Sequence, residues 1–67
     1  MTISELFLGE KIDLEFLEVM ACEGDYWENC FNFIQENWDE DVESLSEKQS
    51  DWANRILEDC VEKRIEG

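Results

Sequence analysis

The chain has 67 residues, 19 of them acidic and 5 basic, with no histidine and a formal net charge of -14. That length gives one small domain, residues 1–67, too short to enclose a substrate-sized pocket (typically about 300–1,000 Å³) beside a separate core. The charge disfavours direct binding to DNA or RNA, which demands clustered Lys and Arg, and to an anionic membrane surface.

The first predicted element opens at Thr2, where Glu5 three residues on completes a capping box, and Ile3, Leu6 and Phe7 share a helical face. Gly9 is a natural end for this turn, with a single helix running through it as the alternative. Asp13 can cap a second segment in which Leu14, Phe16, Leu17 and Met20 recur near helical spacing, with Gly24 as its stop. Asp25 is the expected cap of the next helix, whose apolar stripe is Trp27, Phe31, Ile34 and Trp38, joined by Cys30. The acidic run Asp39-Glu40-Asp41-Val42-Glu43 opposes the negative end of a helix dipole, so this helix should finish near Trp38.

The last helix carries the clearest signals. Ser46 and Gln49 form a capping box, Glu47 suits the positive dipole end, and Lys63 and Arg64 suit the negative end. Trp52, Ile56 and Cys60 recur at four-residue spacing, flanked by Ala53, Leu57 and Val61. Asp51–Arg55 and Asp59–Lys63 are acid-before-base pairs one turn apart. Strand patterns are nearly missing. The expected fold is all-α: a small antiparallel bundle of three main helices, with a short extra N-terminal helix if Gly9 breaks the first.

Apolar residues make up 43% of the chain and aromatics 12%, which is richer than disordered acidic segments are. Stability should be modest, because a single core this small supplies about 3–5 kcal/mol and like charges oppose compaction. Homodimerisation, or folding on a partner, is compatible with such a core. Cys22, Cys30 and Cys60 are an odd set without a signal peptide, which points to a reducing cytoplasm and to three buried thiols acting as small hydrophobes. No run approaches the ~20 apolar residues of a membrane span.

No residue set here is expected to do chemistry, and no cofactor is implied. There is no His to act as a general base or to partner a Ser or Cys nucleophile, and no Cys pair at zinc-ligand spacing. Asp39-x-Asp41-x-Glu43 resembles the start of a calcium loop, but the sixth position is Ser44 rather than Gly and the twelfth is Ser50 rather than Glu. The expectation is a binding protein rather than an enzyme.

The acidic surface is then the candidate site. Its densest part runs through Glu36, Asp39, Glu40, Asp41, Glu43 and Glu47 to Asp51. Duplex DNA carries one charge per about 1.7 Å of axis, so 14 net charges correspond to about 24 Å of duplex, near the about 30 Å of a 20-residue last helix. A folded acidic rod can offer a basic cleft the charge pattern of DNA. Trp27, Phe31, Trp38 and Trp52 belong to the core by spacing, with Trp38 beside the acidic run as the candidate exposed apolar contact.

Leu45-Ser46-Glu47-Lys48-Gln49, followed by Trp52 and Ile56, resembles a helix found in assorted small phage and prophage proteins and covers the last third of the chain. Small size and extreme acidity are similar to phage-encoded DNA-mimic inhibitors of the anti-restriction and anti-CRISPR type. The resemblance implies a partner that is a basic nucleic-acid-binding protein: a CRISPR effector, restriction enzyme, nuclease or regulator. The alternative is an adaptor or antitoxin-like module that binds through an apolar helix face.

Overall fold

In the computed structural model, which describes residues 1–66, four α-helices and one 3₁₀ turn follow one another along the chain. Helix α1 spans Ile3–Gly9, α2 Leu14–Ala21, α3 Asp25–Glu36 and α4 Glu47–Glu66, with the 3₁₀ turn at Val42–Ser44. The all-α expectation holds, and α1 and α2 are separate helices.

Every orphan donor at the start of α1 has a partner. The Glu5 amide donates to Thr2 Oγ1 and the Thr2 amide to Glu5 Oε1, both at 3.2 Å, which closes the capping box. The two remaining amides reach across the chain: Ile3 N–H donates to the Glu40 carbonyl and Ser4 N–H to the Trp38 carbonyl, both at 2.9 Å. Helix starts leave four such groups unsatisfied, so the residues after α3 complete α1.

Gly9 is the last residue of α1, but it is not the left-handed one. That residue is Lys11, at φ 63. Lys11 N–H donates to the Leu8 carbonyl and Ile12 N–H to the Phe7 carbonyl, each at 2.9 Å. This is a Schellman motif, and its usual apolar contact is supplied by Phe7 and Ile12, both fully buried. A lysine holds the position that glycine would fill without steric cost.

Asp13 caps α2, accepting from the Phe16 amide at 2.8 Å. Gly24 does not stop α2, which ends at Ala21; it is the N-cap of α3, and Asp25 is the first helical residue rather than the cap. Helix α3 ends at Glu36, two residues before Trp38. The Ser46–Gln49 capping box opens α4, with the Gln49 amide donating to Ser46 Oγ and the Ser46 amide to Gln49 Oε1, both at 3.2 Å.

The core is one cluster of Ile3, Phe7, Ile12, Leu17, Cys30, Ile34, Ala53, Ile56 and Cys60, with Met20 buried at its edge. Trp27, Phe31, Trp38 and Trp52 are half-buried around it. Phe33, outside the stripe expected for α3, stacks on Trp52 at 4.4 Å between ring centroids and joins α3 to α4. No polar side chain is buried among the described residues. The radius of gyration is 11.0 Å, matching the about 11 Å of a compact chain of this length.

Candidate acidic interface

The charge is distributed far less evenly than the total implies. Residues 12–47 contain twelve carboxylates and neither Lys nor Arg. Residues 48–66 contain five carboxylates and four bases. The reading of α4 as the acidic rod is therefore corrected: the unopposed charge lies on α2, α3 and the connection that follows. This asymmetry was available in the sequence, as the gap between Lys11 and Lys48.

Within that region, the stretch after α3 is pinned through its main chain. Val42 N–H donates to the Met1 carbonyl at 2.8 Å, completing the ties from Trp38 and Glu40 to α1. Thr2 and Asp41 form an isolated antiparallel bridge. The Glu40 amide donates to the Asn37 carbonyl at 3.0 Å, and the Ser44 amide to the Asp41 carbonyl at 2.9 Å. With the backbone held inward, Glu36, Asp39, Glu40, Glu43 and Glu47 are all exposed, as is Asp51 on the first turns of α4.

Two predicted contact residues serve the fold instead. Asp41 is half-buried; its Oδ1 accepts from the Glu43 amide at 2.9 Å and its Oδ2 lies 3.4 Å from the Met1 ammonium. The Glu43 hydrogen bond first, and then the ammonium, hold its carboxyl below the usual range. Trp38 is half-buried rather than exposed, packing against Phe7 with 6.3 Å between ring centroids. Its indole acts as a brace between the acidic connection and α1.

The two bases in the last turn of α4 reach across to other elements. Lys63 pairs with Glu23 at 3.0 Å rather than with Asp59, and Arg64 donates to the Glu10 carbonyl. Asp59 instead accepts from the Tyr26 hydroxyl at 3.2 Å. Desolvation, together with Cys30 and Asp59, pushes that hydroxyl up to about 12, so it stays a proton donor near neutral pH. The expected Asp51–Arg55 pair does not form within 4.0 Å; among the described residues the ion pairs are Met1–Asp41 and Lys63–Glu23.

Cys30 and Cys60 are buried as expected, but Cys22 is exposed. Burial raises both buried thiols, with Cys60 pushed up to about 12, so neither is a thiolate near neutral pH. Among the described residues no group of three or more metal-ligating side chains converges, and no helix is long and apolar enough to cross a membrane.

No family model, curated protein or solved structure matches this chain.

Proposed function

We propose that this protein is a binding-only inhibitor that occupies the basic nucleic-acid site of a bacterial protein as a DNA mimic. The observation that carries the reading is the base-free region 12–47, eleven of whose twelve carboxylates are exposed on a backbone held in place by hydrogen bonds. Twelve charges equal those of about 20 Å of duplex at one per about 1.7 Å. The molecule measures 31 × 23 × 17 Å, which accommodates that span. Glu36, Asp39, Glu40, Glu43, Glu47 and Asp51 act as phosphate surrogates. A backbone already held in place loses little freedom on binding, which favours affinity, while the net field favours fast, salt-sensitive association.

The phage-inhibitor resemblance supplies the target classes: a CRISPR effector, a restriction enzyme, another nuclease or a regulator. The test is a tagged capture from bacterial lysate, eluted in parallel with duplex DNA and with raised salt. Release of a nucleic-acid-binding protein by both supports mimicry. A captured partner that ignores DNA and resists salt overturns it and favours the adaptor reading. Asp39→Lys, Glu40→Lys and Glu43→Lys together should abolish capture with helicity intact; Asp41 is left unchanged because it caps the 3₁₀ turn.

A further inference from the structure

An open groove of about 360 Å³ lies where the outer shoulder of α4 meets the turn after α1. The groove is open to solvent, so the expectation that the chain encloses no substrate-sized pocket is unaffected. Leu57 and Val61, one helical turn apart and half-buried, form its apolar floor, and Glu10, Glu58 and Glu62 form its rim. Ile65, 77% exposed, continues the same apolar row by one more turn.

This row is additional to the face of α4 that closes the core, which is Ala53, Ile56 and Cys60. Glu10, Glu58 and Glu62 are exposed, and none takes part in an ion pair among the described residues. Arg64 reaches the edge of the groove, where it donates to the Glu10 carbonyl rather than to a carboxylate. The groove is therefore apolar below and negative above.

We propose that this groove docks a basic polypeptide segment, seating an aliphatic or aromatic side chain against Leu57 and Val61 while Lys or Arg residues meet Glu10, Glu58 and Glu62. Charge complementarity selects this occupant. A second copy of the chain, placed face to face, would double the carboxylates on one apolar contact, and like charges across an interface cost several kcal/mol. An anionic lipid surface meets the same repulsion. A basic amphipathic helix instead satisfies floor and rim together, in the helix-in-groove mode. None of residues 36–47 lines the groove, and the proposal does not depend on the DNA-mimic reading.

The test uses the full chain and two labelled amphipathic peptides with identical Lys and Arg positions. One carries Leu at i and i+4; the other carries Gln there. At about 0.5 M salt, where charge-only binding is screened, the Leu peptide should bind at least about tenfold more tightly and shift the methyl resonances of Leu57 and Val61. Without loss of helicity, Glu58→Lys with Glu62→Lys, both on exposed positions, should weaken binding of the Leu peptide at least about tenfold at about 0.1 M salt, where the rim charges are felt. Asp39→Lys with Glu40→Lys and Glu43→Lys should leave the preference for the Leu peptide within about twofold, which separates this site from the acidic face. Equal binding of the two peptides, unmoved Leu57 and Val61 methyls, or loss of the preference only on reversal at 39, 40 and 43 would each overturn the proposal.

Discussion

Residues 12–47 and helix α4 are both rich in carboxylates, yet the two regions are stabilised in different ways. In α4 charges have internal work: Lys63 holds Glu23, Arg64 holds the turn after α1, and Asp59 holds Tyr26. Residues 12–47 hold no base of their own: Glu23 and Asp41 pair with Lys63 and the Met1 ammonium from outside, and the other attachments are made by neutral groups. Trp38 and Glu40 lend carbonyls to α1, Val42 donates to Met1, and the Trp38 ring leans on Phe7. The comparison teaches that a segment can be densely charged and still ordered when its main chain carries the attachment. Its side chains then remain available to a partner.

The strongest way to break the comparison is at the seam. Phe7 is fully buried and touches Trp38, so Phe7→Ala should cost about 3–5 kcal/mol, close to all the stability a core this size supplies. Circular dichroism at 25 °C should show a largely unfolded chain. Next comes charge reversal at Asp39, Glu40 and Glu43, expected to weaken target binding by at least about 100-fold, or about 2.7 kcal/mol. Removing the exposed α4 bases with Lys48→Ala and Arg55→Ala should change it by less than about threefold. Similar effects in titration calorimetry would erase the distinction between the two regions.

Smaller changes sharpen it. Thr2→Ala removes the cap of the helix that anchors the acidic connection and should cost about 1 kcal/mol in urea unfolding. Lys11→Gly should act in the opposite direction, stabilising by about 1 kcal/mol because glycine adopts the left-handed region freely. The smallest effect belongs to Asp41→Ala. The Asp41 carboxyl lies below its ordinary value of 3.8 in the folded state, so its contribution is complete above that value and is lost as pH falls below it. The gap in melting temperature between Asp41→Ala and the parent should therefore be present at pH 7 and close as the pH drops below 3.8.

Local signals in the sequence located the elements well. Both capping boxes and the Asp13 cap stand where their side chains implied, because a cap is decided by residues within one turn. The long-range features were hidden. Nothing local to Lys11 marks it as left-handed; that follows from Ile12 folding back onto Phe7. Lys63 chose Glu23 over Asp59 because α2 ends beside the last turns of α4, a proximity no i,i+4 rule contains. Phe33 fell outside the counted stripe and became an interhelical stack. For the candidate interface, the acidic run was visible, but the division between exposed carboxylates and the structural Asp41 depends on backbone ties nearly forty residues apart.

Those same ties bear on how the surface comes into being during folding. The contacts between α2 and α3 form between neighbours in the chain, whereas joining residues 1–4 to residues 38–42 requires closing a loop of nearly forty residues. Loop-closure entropy makes such contacts slower to form than local ones. The display of Asp39, Glu40 and Glu43 is then among the last features to be assembled, and an incompletely folded chain carries the same charge without the same geometry. Recognition that depends on spacing would distinguish the two, so a partner would meet a finished template or a diffuse polyanion.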